Sequence, residues 1–348
     1  MKPFIVAAGF ALLCALRAGD LPAQQPSAPK APAEPVRIAL LVDEIRAIRN
    51  FPAIVAERLG YLKGDGIVVT MMNIRNEVPT ADMLMDGRVD AIMAYYHHNI
   101  VNDSQGRDFE AIVTLGVTPG AKVLVANQAK DRYKSVADLK GSRIIAGGDG
   151  SSKTAVANAL LLAGGHKVSD YTRIRNESRD KIEAALRGGE ADLVVAPTPD
   201  GDYYEGLGLA TVFADLTTVE GTRKHLGTLF PTSTVYMRSE RVKAHPEIAQ
   251  HLATAFVRAL QWINSHTPEE IAAMVPPDLM GNDRGAYLKM LNEQIAMFRT
   301  DGRMPQDGAE NEWRVLSEAN PKYKSVRVAD TYTNQFVETA LGALRGKQ

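Results

Sequence analysis

The sequence contains a single cysteine, Cys14, among its 348 residues. It lies inside the apolar run Phe4–Leu16, close to the amino terminus. If this segment is removed, the mature chain has no thiol, which excludes disulfide bonds, thiolate catalysis and cysteine-bound metals. An excess of charge of either sign is also lacking, because 40 Lys and Arg face 41 Asp and Glu. This balance argues against a nucleic-acid partner.

The apolar run Phe4–Leu16 is too short to span a bilayer comfortably. Lys2 precedes it and small residues follow it, a pattern typical of a secretory signal peptide cleaved after Ala23. Residues 1–23 are therefore predicted to be a signal peptide. Lipid attachment at Cys14 is the less favoured alternative, because the residue before it is a bulky leucine.

The stretch that follows the signal peptide, residues 24–35, carries four prolines among Ala, Gln and Ser. This composition predicts an extended tether without a core. The remainder of the chain is long enough for two lobes. Lobe 1 is predicted to combine residues 36–127 with 232–348, and lobe 2 to span 128–231.

One short pattern occurs in both predicted lobes. In Gly87–Ala94 and in Gly189–Ala196, a Gly-x-small-Asp turn follows a helix and leads into a short apolar strand. Strands alternate with helices around each copy, which predicts an α/β fold of two similar lobes with parallel sheets. The ligand crevice of such sheets lies beyond the carboxyl ends of the strands, here Tyr95–Asn99 and Pro197–Asp200.

Two further strands, Lys122–Asn127 and Thr232–Arg238, are predicted to cross between the lobes. The sequence beyond them is helical. Apolar residues form one stripe along Pro246–Asn264, and Thr267–Glu270 combines a capping box with a proline at the first helical position. Additional helices are predicted over Tyr287–Phe298, Glu310–Ala319 and Gln335–Leu344. These C-terminal helices are interpreted as structural.

The stretch Arg143–Gly165 predicts a binding point for an anion. It reads as a strand over Arg143–Ala146, a glycine-rich turn, and a helix that opens at Ser151 or Ser152. Such a helix start presents unpaired N–H groups and the positive end of the helix dipole. The equal alternative is that one serine only caps the helix and the glycines only make the turn.

Five segments, in this order, carry a resemblance to a known family: Phe51–Gly66, Asp86–Ala94, Ser135–Leu161, Arg187–Pro199 and Ser239–Trp262. Together they resemble periplasmic substrate-binding proteins of the nitrate/sulfonate/taurine type, which share their fold with the thiamine-pyrimidine precursor proteins.

The resemblance implies a two-lobed clamshell of the type II periplasmic binding protein class, located in the periplasm. Such a protein captures a small organic anion, such as a sulfonate, taurine or nitrate. It delivers this solute to an ABC transporter permease and its ATPase subunit, and closure about a hinge signals that the solute is bound. The family needs no catalytic residue, metal or cofactor, and a monomer is expected.

The resemblance also implies four sources of ligand contacts: the loop after the first strand, the end of the third strand, the Gly-Ser helix start, and the strand end before the second crossing. The residues at these places are Arg46, Arg49, Tyr95, Tyr96, His97, Asp149, Ser151, Ser152, Pro197 and Thr198. Tyr95 and Tyr96 alternate in direction along a strand, so at most one faces the cleft. The pair His97-His98 departs from the family pattern, which leaves the identity of the solute open.

Other functions fit the sequence less well. A phosphate-binding NTPase is disfavoured because Ser152 occupies the second required glycine of its loop motif. A serine hydrolase would need a G-x-S-x-G elbow and a zinc enzyme clustered ligands, and the sequence has neither pattern. Two alternatives stay open: a clamshell binding protein or enzyme for a pyrimidine or cofactor-precursor ligand, and a ligand sensor.

Overall fold

The computed structural model describes residues 34–43, 45, 48–74, 80–148, 151–175, 178–197, 200–280, 283–298 and 300–346. The predicted signal peptide and most of the predicted tether lie outside the described residues. So do three predicted site residues, Arg46, Asp149 and Thr198.

Strands of the described residues fall into two separate sheets. They are β1 (Val36–Asp43), β2 (Lys63–Gly64), β3 (Ile67–Ile74), β4 (Ala91–Tyr95), β5 (Phe109–Thr114), β6 (Ala121–Ala126), β7 (Arg143–Ala146), β8 (Thr172–Arg175), β9 (Leu193–Pro197), β10 (Ala210–Leu216) and β11 (Ser233–Arg238). The first sheet has the order β2-β3-β1-β4-β11-β5, and the second has the order β10-β6-β9-β7-β8. We call the part of the molecule built on the first sheet the first lobe, and the part built on the second sheet the second lobe.

Helices cover the two sheets. They are α1 (Phe51–Arg58), α2 (Thr80–Met85), α3 (His97–Asp103), α4 (Ser152–Ala163), α5 (Arg179–Gly188), α6 (Asp200–Gly206), α7 (Val219–Leu226), α8 (Ser239–Ala244), α9 (Pro246–Asn264), α10 (Pro268–Ala273), α11 (Pro277–Met280), α12 (Arg284–Gln294), α13 (Gln306–Ala319) and α14 (Gln335–Arg345). The predicted α/β class and two-lobed clamshell are confirmed.

Each lobe has its own apolar core. The first-lobe core joins β1 and β4 to α1, α9 and α14, with Leu40, Phe256 and Val337 fully buried. The second-lobe core joins β6, β7 and β9 to α4, and Leu161 is fully buried within it. Helix α13 reaches both lobes, since its Val315 belongs to the second-lobe core. Burial of apolar surface on this scale is the main stabilising term of each lobe.

The parallel strands are those that the repeated pattern predicts. β1 pairs in parallel with β3 and β4, and β7 pairs in parallel with β8 and β9. The crossing strands instead run antiparallel: β11 pairs with β4 and β5, and β6 pairs with β9 and β10. Both sheets are therefore mixed and not wholly parallel.

Strand β6 lies in the second sheet, whereas the sequence prediction placed its residues at the end of lobe 1. Its apolar residues from Val123 to Ala126 are buried, and its backbone pairs with β9 on one side and β10 on the other. A strand held on both sides belongs to that sheet. The chain therefore crosses between the lobes before Ala121.

The two aspartates of the repeated pattern make the same contacts in both lobes. Asp90 accepts a hydrogen bond from the backbone N–H of Ala39 at 2.9 Å, and its own N–H donates to the Ala39 carbonyl. Asp192 does the same with Arg143, where its carboxylate accepts the backbone N–H at 2.8 Å. Each aspartate thus fastens the start of its strand to the neighbouring parallel strand.

Several helix boundaries follow local capping rules. Helix α9 begins with Pro246, as predicted, and keeps one face buried over its 19 residues. Thr267 and Glu270 form the predicted capping box of α10. Within the part of the chain that the structure describes, no helix is both long enough and apolar enough to cross a membrane.

Candidate functional site

A cavity of about 210 Å³ lies between the two lobes, at the carboxyl ends of β4 and β9. The first lobe contributes Ile48, Arg49 and Tyr95, together with Met290 and Gln294 of α12. This is the position at which open α/β sheets bind ligands. The volume suits a molecule of a few heavy atoms.

The second lobe closes the cavity from the other side. It contributes Ser152, Lys153 and Val156 from the first turns of α4, and Val195 and Pro197 from β9. The wall is thus mostly apolar, with a small number of polar groups that converge on the space, as is usual in ligand pockets. The two cations of the wall are Arg49 and Lys153, one from each lobe. None of the described lining residues is an Asp or a Glu.

Arg49 is held in place by the first lobe. Its guanidinium carbon lies 4.7 Å above the centre of the Tyr95 ring, and its Nη2 lies 3.3 Å from Oδ2 of Asp43. The residue after it, Asn50, is fully buried, donates to the backbone carbonyl of Asp43 and accepts a hydrogen bond from Ser233. These bonds fix the turn that leads into α1. The Arg49 side chain, 14% exposed, therefore points toward the cavity in a defined position.

The start of α4 assigns different roles to the two adjacent serines. Ser151 is the N-cap: its Oγ accepts a hydrogen bond from the backbone N–H of Thr154 at 3.2 Å. Ser152 is the first helical residue and lines the cavity. A Cβ on Gly147 would lie only 2.0 Å from the Ser151 Oγ, so this capping arrangement requires glycine there. The N–H groups and the positive helix end thus lie beside the cavity.

Replacing Ser151 and Ser152 separately by alanine should give opposite results. Ser151→Ala removes the cap, which should cost about 1 kcal/mol and lower the melting temperature of the ligand-free protein by about 2–4 °C. Ser152→Ala should leave that melting temperature unchanged and weaken solute binding. Differential scanning calorimetry, with and without solute, measures both effects. Equal melting temperatures for the two variants would contradict the capping role of Ser151.

The structure separates the two adjacent tyrosines, as their alternation along the strand requires. Tyr95 lines the cavity, whereas Tyr96 is fully buried and its hydroxyl lies 2.6 Å from Oγ1 of Thr331. Burial raises the pKa of Tyr96 well above its usual value. Tyr96, which was predicted as a ligand contact, is therefore a core residue and does not reach the cavity.

Tyr95–Asn99 is not the extended strand end that the sequence suggested, because α3 begins at His97. His97 is buried, and its ring centre lies 5.5 Å from that of Tyr95. Burial, followed by the nearby Arg49 charge, lowers the pKa of His98 to about 4, so its imidazole is neutral at pH 7. We find neither histidine among the lining residues. Both rings contact Tyr95, which does line the cavity.

Sequence reasoning missed the contribution of the C-terminal helices, which it took as structural. Met290 and Gln294 of α12 lie one helical turn apart and reach the cavity on the same face. Gln294 is fully buried, and its side-chain N–H donates to the carbonyl of Gly120 at 3.4 Å. Gly120 has φ +65°, and a Cβ there would lie 3.0 Å from Gln294 Oε1. Both the backbone conformation and the close approach of Gln294 therefore favour glycine at this position.

Of the predicted site residues that the structure describes, four line one cavity: Arg49, Tyr95, Ser152 and Pro197. Ser151 caps the adjoining helix, and Tyr96 and His97 are buried and do not line the cavity. Lys153, which was not singled out, lines the cavity as well. Across the described residues, no group of three or more His, Cys, Asp and Glu side chains is placed to hold a metal ion.

Comparison with known proteins shows to which family the chain belongs. The model of the family described as NMT1/THI5 like matches residues 48–271, more than half of the chain. The chain belongs to the NMT1/THI5-like family. No curated protein matches the sequence significantly.

Solved structures of the same fold span nearly the whole chain. A protein from Bordetella bronchiseptica is 27% identical, with a TM-score of 0.71 over 90% of this chain and 99% of that one. A protein of Methylobacillus flagellatus described as the periplasmic sulfonate-binding protein SsuA is 16% identical, with a TM-score of 0.70 over 90% and 96%. The periplasmic nitrate-binding protein NrtA of Synechocystis is 15% identical, with a TM-score of 0.59 over 89% of each chain. The NMT1/THI5-like chain described here thus shares its fold with periplasmic binding proteins of ABC transporters.

Proposed function

We propose that the protein is an extracytoplasmic solute-binding protein that captures a small organic anion between its lobes and presents it to an ABC transporter permease. The observation that carries this proposal is the interlobe cavity, to which each lobe supplies one cation, Arg49 and Lys153. An anion would interact with both cations and so favour the closed arrangement of the lobes. Differential affinity for the closed state is what couples binding to closure.

Apolar lining favours an anion with a short organic portion. Val156, Val195 and Met290 offer van der Waals contacts but no hydrogen bonds from their side chains. The hydroxyls of Ser152 and Tyr95 and the start of α4 can donate to anion oxygens. A sulfonate or carboxylate on a short carbon chain would contact the apolar side chains through its carbon atoms and accept hydrogen bonds through its oxygen atoms. We therefore favour an alkanesulfonate such as taurine over a large aromatic solute, for which about 210 Å³ is small.

Electrostatics add to the preference for an anion. Among the described residues, no carboxylate lies within ion-pair distance of the Lys153 ammonium, although Asp43 partly neutralises Arg49. A negatively charged group would interact with Lys153 directly. Hydrogen bonds to charged groups contribute about 1.5–3 kcal/mol each, so a few such bonds suffice for micromolar binding.

A thermal-shift screen of the purified protein tests this proposal. Taurine, methanesulfonate, nitrate and acetate are compared with methanesulfonamide, an uncharged analogue of similar shape. A true solute at a hundredfold excess over its Kd should stabilise the protein by about 2.7 kcal/mol and raise the melting temperature by about 5 °C or more. The uncharged analogue should have no effect.

The same screen separates binding from chemistry. The solute that stabilises the protein is incubated with it and recovered, and mass spectrometry should find it unchanged. A new product would contradict the binding role and favour an enzyme of the same fold. Equal shifts with methanesulfonamide and methanesulfonate would contradict an anion-selective cavity.

A further inference from the structure

A cluster of charged side chains joins the two lobes beside the cavity. Lys289 of α12, in the first lobe, lies 3.4 Å from Oδ2 of Asp202 in α6 of the second lobe. The other oxygen of Asp202 accepts a hydrogen bond from Lys122 of β6 at 2.6 Å. Glu205, one turn further along α6, also accepts from Lys122, at 3.2 Å. The ion pair from Lys289 to Asp202 is thus a direct contact between the lobes.

A second carboxyl group of α12 joins this cluster. Glu293 lies one turn after Lys289, and its Oε1 is 3.8 Å from the Lys289 ammonium. Its other oxygen, Oε2, is buried and has no hydrogen-bond partner among the described residues. The Lys289 ammonium thus lies between two carboxyl groups, Asp202 of the second lobe and Glu293 of its own helix. When Glu293 is ionised, its charge repels that of Asp202 across the contact between the lobes.

Of these two carboxyl groups, Glu293 is the one that the electrostatic surroundings make easier to protonate. Burial, and then the charge of Asp202, raises the pKa of Glu293 above its ordinary value of 4.5. Burial also raises the pKa of Asp202, but the bond from Lys122 outweighs this effect and lowers it overall. The charged groups around Glu293 are Lys122 of β6, Asp202 of α6 and Lys289 of its own helix.

The cluster lies where closure of the cavity would be controlled. Lys289 and Glu293 each precede by one residue the two α12 residues that line the cavity, Met290 and Gln294. One helix therefore presents the cavity wall on one face and the charged contact on the adjacent face. Any separation of the lobes that opened the cavity along α12 would also break the contact with Asp202.

We propose that Lys289 and Glu293 of α12 form, with Asp202 of α6, an ionic latch that holds the lobes closed and slows the escape of solute. They are positioning residues, because they hold the lobes together and do not line the cavity. The role in solute retention rests on the proposed function, whereas the effect on the lobes does not. Protonation of Glu293 tightens the latch, since it removes the repulsion between two carboxylates on opposite sides of the contact.

The latch is tested first on the solute-free protein. Spin labels are attached at Glu57→Cys in α1 and Lys140→Cys in the second lobe, both exposed positions, in a Cys14→Ser background that leaves no other thiol. Pulsed electron paramagnetic resonance then measures the distance between the lobes. Lys289→Met should lower the ratio of closed to open molecules about three- to fivefold, the effect of one partly exposed ion pair.

The matched control is Lys181→Met, which removes an exposed lysine from α5 in the second lobe that does not line the cavity. It should leave the distance distribution unchanged. If Lys289→Met leaves it unchanged as well, the latch does not exist, whatever solute the protein binds. Because no solute is present, this outcome is independent of the proposed function.

The second test is pH dependence. A carboxyl group whose pKa is raised in the closed state favours that state below its ordinary pKa, and this advantage is lost as the pH rises through the raised value. The closed fraction should therefore fall as the pH rises above 4.5 and through the raised pKa of Glu293. Glu293→Gln, which removes the charge and keeps the size of the side chain, should abolish this dependence and stay closed. The exposed control Glu318→Gln should keep the wild-type profile, and an equal profile for Glu293→Gln would overturn the proposal.

Discussion

Replacing Lys153 by methionine should weaken binding of the best anionic solute about 10- to 100-fold, because a hydrogen bond to a charged group contributes about 1.5–3 kcal/mol. Methionine preserves the length and the apolar stem of the side chain, so the cavity keeps its shape. Lys153 lies in the first turn of α4 and lines the cavity, and no ion pair joins it to any other described residue. Its removal should therefore leave folding unaffected. Isothermal titration calorimetry measures the affinity directly.

The control for Lys153 again uses Lys181→Met, which removes the same charge from a residue that does not line the cavity. This control tests for effects of net charge alone, and it should bind the solute as the wild type does. Salt provides a further check, because an interaction of Lys153 with an anion weakens as ionic strength rises. An affinity for Lys153→Met within twofold of the wild type would show that the anion does not contact this side of the cavity.

Replacing Asp192 by alanine should destabilise the folded protein by about 3 kcal/mol and lower the melting temperature by about 5–10 °C. The carboxylate is 2% exposed and accepts hydrogen bonds from the backbone and side chain of Arg143 and from Tyr133. Alanine would leave the backbone N–H of Arg143 and the Tyr133 hydroxyl without this acceptor. Arg132, which also pairs with Asp192, is largely exposed and contributes less.

Calorimetric scans at several pH values complete the test of Asp192. Burial raises the pKa of Asp192, but the bonds from Arg143 outweigh it and hold the pKa below the ordinary value of 3.8. The stabilisation should therefore be complete above that pH and disappear only as the pH falls through the lowered pKa. Asp131→Ala, which removes an exposed surface carboxylate, is the control and should melt as the wild type does. A similar melting temperature for Asp192→Ala would contradict its anchoring role.

Local sequence signals predicted the elements that depend on neighbouring residues. The strand over Arg143–Ala146 and the helix over Pro246–Asn264 have the predicted bounds. The signals for these elements are local in the sequence: the apolar pattern, the glycine before the strand and the proline at the helix start each lie within a few residues of the element. The repeated Gly-x-small-Asp pattern also predicted two similar lobes, and in the structure its aspartate makes the same backbone contact in each.

Features that depend on distant parts of the chain were less predictable. Gln294 and Met290 reach the cavity because α12 packs across its edge, and nothing in the periodicity of α12 indicates which face meets the second lobe. The choice between Ser151 and Ser152 depended on which residue begins the helix. Alternation along a strand does not show which of two adjacent tyrosines faces the core, and in the structure Tyr96 is the buried one. Nothing in the sequence distinguishes Lys153, which lines the cavity, from an exposed lysine in the first turn of a helix.

The hydrogen bonds of Asp90 and Asp192 affect how the solute specificity of the protein can evolve. They fasten the amino-terminal ends of β4 and β9, whereas Tyr95 and Pro197 meet the solute at the opposite ends of the same strands. Substitutions at one end of a strand therefore affect folding, and substitutions at the other affect recognition. Because of this separation, a protein that evolves from this one can bind a new solute after a few substitutions near the cavity and still keep the stability of its sheets.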